Sequence, residues 1–162
     1  MFTDPLVATL ADFVRGVGIE VIAASSLLPA NFPGLDIQNG CVLVDETRVV
    51  HPGDILHEAG HVALTPPEER HALRLSPTGG QEMATMAWSY AATVHLRLDP
   101  SLVFYPESYD HFGDGLAEYF TNGKKGMYIG VPLLQALQMS VEPKNAAARQ
   151  VPPFPHMLRW LR

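Results

Sequence analysis

The chain has 162 residues, one cysteine and a net charge of −6, with 47% apolar and 17% charged residues. A domain of this length buries about 70% of its unfolded surface, and a lone cysteine excludes an intramolecular disulfide. No apolar run approaches the roughly 20 residues that cross a bilayer, and the scattered basic residues form no nucleic-acid footprint. We therefore expect one cytoplasmic domain over residues 1–162, with neither a membrane nor a nucleic acid as partner. The oligomeric state stays open.

The first 34 residues predict a helix, a short strand and a loop. Residues 1–16 have the apolar and polar pattern of an amphipathic helix, with Asp4 as the N-cap and Pro5 in the first turn. Residues 19–24 are mostly apolar and predict a strand. Residues 25–34, SSLLPANFPG, have the proline and glycine content of a loop.

The next segment predicts a β-hairpin that leads into a helix. Its strands are residues 41–44 and 47–50, with Asp45 and Glu46 in the turn. Cys41 opens the apolar run CVLV, which is typical of a buried structural cysteine and not of a nucleophile or a metal ligand.

The sequence His57-Glu58-Ala59-Gly60-His61 is an HExxH motif, and it indicates a metal-dependent hydrolase. Residues four apart lie on the same face of a helix, so both histidines can bind one ion through a ring nitrogen. Glu58 then reaches a water molecule at that ion and serves as a general base. We expect Zn²⁺ as the metal, with His57 and His61 as ligands.

The surroundings of the motif favour a real metal-binding helix over a chance match. Pro52-Gly53-Asp54 provides a helix start, and Pro66-Pro67 ends the helix soon after the second histidine. Apolar and small residues fill the opposite face of this helix, which is suited to packing against a core: Ile55, Leu56, Ala59, Gly60, Val62 and Ala63.

A catalytic zinc ion needs a third protein ligand, and we predict Glu82 for this role. The segment after it, residues 83–96, carries no formal charge and predicts a helix buried on nearly every side. Gly79 and Gly80 are expected to break the chain before this helix. A carboxylate entering a buried helix is costly unless it is paired or binds a metal. The alternative is a solvated carboxylate favoured by the helix dipole.

A second source of ligands stays open in the segment SYDHFGDG. Asp110, His111 and Asp114 lie together there and can bring an oxygen or nitrogen donor from a loop. The extended metzincin pattern is excluded, because Leu64 and Pro67 stand where it requires glycine and histidine.

The last third of the chain is rich in aromatic residues that can donate to a developing oxyanion. Tyr109 and His111 are the preferred donors, because they lie in a predicted loop before the helix GLAEYF. Residues 156–162 predict either a terminal helix or a docking tail. The remaining histidines are expected at the surface or in packing roles, without a metal: His51, His71, His95 and His156.

The order of strands, HExxH helix and buried helix predicts an α+β fold. Over about residues 41–97 the chain resembles the gluzincin branch of the zincin metallopeptidases, through HEAGH and the downstream helix that opens with Glu82. The resemblance implies a small twisted sheet packed on the HExxH helix, zinc bound by His57, His61 and Glu82, and hydrolysis of a peptide or protein substrate with Glu58 polarising the water.

The sequence departs from that family at one position. Many gluzincins carry an aspartate four residues after the glutamate ligand, where it orients a histidine, but this position is Met86. The departure keeps a second function open, in which the protein is a non-catalytic or regulatory metal-binding module that binds a partner.

Overall fold

The computed structural model describes residues 1–25, 32–111, 113–121, 123 and 127–162, and the side chains of residues 110, 111 and 114 lie outside this description. The chain forms two compact units, Met1–Ser76 with Leu161 and Pro77–Trp160 with Arg162. Helices and a small three-stranded sheet make up the fold, which confirms the predicted α+β class. The prediction of a single domain stays a prediction.

The first unit opens with helix α1, Pro5–Gly16, as the sequence predicts. The Asp4 side chain accepts hydrogen bonds from the backbone N–H groups of Leu6 and Val7, and so caps the helix. Proline stands in the first turn, where its missing N–H costs nothing. One face is buried in the core of this unit through Val7, Leu10, Ala11 and Val14.

A three-stranded sheet follows, with the order β1-β3-β2. Strand β1 is Val21–Ala23, β2 is Leu35–Gln38 and β3 is Cys41–Val44. Strand β1 pairs in parallel with β3, and β2 pairs antiparallel with β3. The predicted strand at residues 19–24 is therefore present but shorter.

The predicted hairpin partner of β3 is wrong. Strand β3 pairs with the segment before it, through a turn at Asn39 and Gly40 whose φ angles are +51° and +77°. Two consecutive left-handed residues define the type I′ turn, for which Asn-Gly is the preferred pair. Residues 47–50 form no strand, because the Asp45 carboxylate accepts hydrogen bonds from the N–H and hydroxyl groups of Thr47 and holds a local turn.

Cys41 is half-buried, so the prediction of a fully buried thiol is wrong. The strand alternates its side chains, and Cys41 points away from the side on which Val42 and Val44 are buried. Its thiol donates to the Glu20 carboxylate at 3.4 Å. Burial and the neighbouring Glu20 raise the pKa of the Cys41 thiol, which disfavours the nucleophilic thiolate.

Helix α2, Asp54–Leu64, carries the HExxH motif and has the bounds that the sequence predicts. It packs on β2 and β3 through its apolar face, as expected. After the helix, Arg70 donates to the backbone carbonyls of Val62 and Thr65 and satisfies acceptors at the C-terminal end.

The second unit is organised around helix α3, Gly79–His95. Thr78 and Gln81 form a reciprocal capping box at its start. The prediction that Gly79 and Gly80 break the chain before the helix is wrong, because the cap at Thr78 places both glycines in the first turn. The predicted burial is confirmed for most of the helix, including Trp88, Tyr90 and the small residues around them.

Shorter helical elements complete the second unit. They are a 3₁₀ turn at Pro100–Leu102 and helices α4, Ser108–His111, α5, Gly113–Thr121, α6, Val131–Ala136, and α7, Pro143–Arg149. The segment SYDHFGDG, predicted as a loop, is therefore helical at residues 108–111 and 113–115. Aromatic rings pack together between these elements at centroid distances of 5.3 to 5.9 Å, namely Tyr90, Phe104, Phe120 and Phe154.

The C-terminal segment is irregular, so the predicted terminal helix at residues 156–162 is wrong. Met157 forms a β-bridge with Ser140, and the Trp160 carbonyl accepts a hydrogen bond from the Trp88 indole at 2.9 Å. Across the described part of the chain, no helix has both the length and the apolar character needed to cross a membrane.

Gly130 at the start of α6 provides a test of the packing against α3. Its φ is +73°, and a methyl group there would overlap the backbone at Met83 and Ala84. We expect Gly130→Ala to lower the free energy of unfolding by about 2 kcal/mol or more. The control is Gly16→Ala, at a position with no neighbour within 4 Å, which should change it by no more than about 0.5 kcal/mol. Urea denaturation measures both, and equal effects would contradict this packing.

Candidate metal centre

Helix α2 places the two motif histidines side by side. Their Nε2 atoms are 3.0 Å apart, and the ring centroids lie 4.7 Å apart with the planes at 85°. His57 is only 2% exposed and His61 is half-buried. The buried imidazole is therefore held among apolar helix residues, with its Nε2 facing that of its neighbour one turn later.

The 3.0 Å between the two Nε2 atoms is close to the separation expected for two nitrogens bound to one zinc ion. Two nitrogens bound at about 2.0 to 2.1 Å in tetrahedral geometry are separated by about 3.3 Å. The observed 3.0 Å also suits a hydrogen bond in which one ring donates its N–H to the lone pair of the other. When both rings are neutral with their Nε2 lone pairs available, the same arrangement presents two donors to one cation.

Glu82 completes a group with the two histidines. One possible ligand atom of each of His57, His61 and Glu82 lies within 4.8 Å of the others. Two imidazoles and a carboxylate are a known donor set for catalytic zinc, and they leave a fourth position open. The three residues that the sequence singles out therefore form a group that can hold a metal ion.

The local structure explains why Glu82 lies where it does. It occupies the first turn of α3, and its backbone N–H donates to the Thr78 carbonyl at 2.9 Å. A carboxylate in the first turn is favoured by the partial positive charge at the helix N-terminus. The residues Ala84 and Thr85 that follow are fully buried, whereas Glu82 itself is half-buried.

Glu58, the predicted general base, is half-buried on α2 directly after the buried His57. It is not a member of the three-residue group found in the described part of the chain. The role of Glu58 as a general base that does not bind the metal stays a prediction.

The two predicted oxyanion donors stay predictions as well. Tyr109 is half-buried in α4, and its ring stacks on Phe104 with a centroid distance of 5.6 Å, which is a packing contact. The backbone of His111 ends the same helix, but its side chain lies outside the described residues. The side chains of the alternative ligands Asp110 and Asp114 also lie outside the described residues, so this alternative is untested.

The other histidines lie where surface or packing residues are expected. His71 and His156 are exposed, and the His71 Nδ1 is 3.2 Å from the Asn39 carbonyl oxygen. His95 is exposed with its ring against Trp160, at a centroid distance of 5.3 Å. His51 is half-buried.

One neighbour of the metal group was missed by the sequence analysis. The Phe32 ring meets the His57 ring at a centroid distance of 5.5 Å and an angle of 60°. The sequence Phe32-Pro33-Gly34 indicates a tight turn, but these residues were predicted only as part of a loop.

Comparison with protein-family models, curated proteins and solved structures finds no match to this chain. The argument for function therefore rests on the residues and geometry of the site itself.

Replacing Glu82 tests whether it is a ligand. We expect Glu82→Ala and Glu82→Gln to weaken zinc binding by more than about 100-fold, because loss of an outer partner alone costs 10- to 100-fold. Competition with a chromophoric chelator measures the affinity. Glu107→Ala, which removes an exposed carboxylate, is the control and should bind zinc like the wild type. Unchanged affinity in both Glu82 variants would move the third ligand to the segment around His111.

Proposed function

We propose that this protein is a zinc-dependent hydrolase, a small metallopeptidase of the zincin type and most similar to the gluzincins. The grouping of His57, His61 and Glu82 carries the proposal, because it joins an HExxH helix to a downstream glutamate within 4.8 Å. The packing of α2 on a small sheet and the buried helix α3 support it further.

The donor set favours zinc over harder or softer metals. Imidazole nitrogens suit zinc and neighbouring transition metals, whereas magnesium and calcium prefer oxygen donors throughout. The described residues of the group include no thiolate, which is the donor that softer sites use. Three protein ligands leave a position for water and substrate, as catalytic zinc sites require.

Each residue then has a distinct task in peptide hydrolysis. A bound zinc ion acidifies water and polarises the scissile carbonyl. Glu58 accepts a proton from the attacking water and delivers it to the leaving amine nitrogen. His57, His61 and Glu82 hold the metal, and Tyr109 and His111 are the candidate donors to the oxyanion.

The substrate in this proposal is a peptide or an exposed segment of a protein, in keeping with the HExxH chemistry. An extended peptide can pair with the edge of a sheet, and β1 and β2 are the outer strands of the sheet in the first unit. The single cysteine is in keeping with a reducing compartment, and a cytoplasmic location belongs to the same proposal.

One observation favours a second function. Met86 is half-buried one turn after Glu82, and its thioether is at most a weak hydrogen-bond acceptor where many gluzincins use aspartate. In the gluzincins that carry it, this aspartate orients a histidine ligand. This feature favours a metal-binding module that serves regulation or partner binding.

The variant Glu58→Gln distinguishes a metallopeptidase from a non-catalytic metal-binding module. The variant should keep its zinc and its fold, but its peptide cleavage should fall by about 10²- to 10⁴-fold, because the general base is lost. His61→Ala should lose both zinc and cleavage. Glu68→Gln changes an exposed glutamate outside the helix and should behave like the wild type.

The assay is cleavage of a library of unstructured peptides, with zinc content measured on the same samples. Full activity in Glu58→Gln would remove this residue from the mechanism. Zinc-loaded wild type that cleaves nothing in the library would favour the non-catalytic module.

A further inference from the structure

The ring of Phe32 contacts a metal-ligand residue that is 25 positions further along the chain. It lies against the His57 ring edge to face, with 5.5 Å between centroids. His57 is almost completely buried, and the His61 ring on the next turn also lies against it. Edge-to-face pairs have a preferred geometry, so this contact restricts how the imidazole can rotate.

A tight turn fixes the position of Phe32. The Leu35 N–H donates to the Phe32 carbonyl at 3.1 Å, which closes a four-residue turn. Pro33 occupies the second position and Gly34 the third, with φ at +78°. Proline followed by a left-handed glycine is the sequence of a type II turn, whose backbone has little freedom.

This turn also packs against the segment that leads to α2. The Asp45 N–H donates to the Gly34 carbonyl at 2.8 Å. A side chain at Gly34 would meet the Asp45 carbonyl and the backbone of Arg48 and Val49 at about 2.7 to 2.8 Å, so only glycine allows this approach. Strand β2 begins directly after the turn and packs on α2.

We propose that Phe32 is a positioning residue for the metal centre: it fixes the ring plane of His57 so that Nε2 faces the other ligands. The inference deepens the proposed function and rests on it. An imidazole turns about two side-chain torsions, and only one orientation presents Nε2 to a shared ion. When only a fraction of the molecules has the binding-competent orientation, the apparent affinity equals the intrinsic affinity multiplied by that fraction.

The first test is zinc affinity in metal competition. Phe32→Ala should weaken binding by about three- to tenfold, because the competent orientation of His57 becomes a minority. Phe32→Tyr keeps the ring and should restore affinity to near the wild-type value. Phe2→Ala is the matched control, because it removes a buried ring from the same unit whose neighbour is the Arg15 guanidinium. It should leave zinc affinity unchanged.

The second test needs no metal. In the metal-free protein, NOEs from the His57 ring protons to protons of α2 report the orientation of the ring. Phe32→Ala should change these NOEs, while Phe2→Ala should leave them as in the wild type. Phe32→Leu gives the same readouts if the alanine variant does not fold, because leucine keeps apolar volume without an aromatic edge.

The outcomes separate this inference from the proposed function. If Phe32→Ala binds zinc as tightly as the wild type, the positioning role is overturned and the proposed function is not. The same holds if Phe2→Ala loses as much zinc affinity as Phe32→Ala. Wild type that binds no zinc overturns the proposed function, and the positioning role falls with it. Weaker binding and altered NOEs of the His57 ring in Phe32→Ala alone, with recovery in Phe32→Tyr, support the inference.

Discussion

The burial of the His57 imidazole on α2 is the constraint on which the rest of the site depends. A polar ring that is 2% exposed is costly unless its nitrogens have partners. The helix meets this need by placing His61 one turn later, with the two Nε2 atoms 3.0 Å apart. Helix α2 packs on β2 and β3 and has an apolar face, and the candidate metal ligands lie on the opposite face of the helix.

The same reasoning accounts for the carboxylate of the group. Helix α3 is too apolar to hold a charge beyond its first turn, and Thr78 caps the helix so that Glu82 falls within that turn. Gly130 allows the start of α6 to approach the backbone directly after Glu82, which restricts movement of this end of α3. The candidate metal-binding group thus consists of one buried and one half-buried histidine, together with the half-buried carboxylate of Glu82.

Local signals predicted the parts of the site that depend on short-range order. Helical spacing and flanking prolines defined α2 and both histidines, and the uncharged segment after Glu82 defined α3. The sheet was predicted less well, because the Asn39-Gly40 turn and the side-chain hydrogen bonds of Asp45 decide which segment pairs with β3. The turn at Phe32-Pro33-Gly34 can be predicted from sequence, but the contact of Phe32 with His57 cannot, since it depends on the way β2 packs on α2.

The proposed function requires that this chain binds a zinc ion through His57, His61 and Glu82. Elemental analysis of protein expressed and purified without a histidine tag tests it most directly, with the double variant His57→Ala/His61→Ala as the reference. We predict about one zinc per chain in the wild type, the stoichiometry of a single catalytic site, and none above background in the variant. Equal metal content in the two proteins would contradict the account.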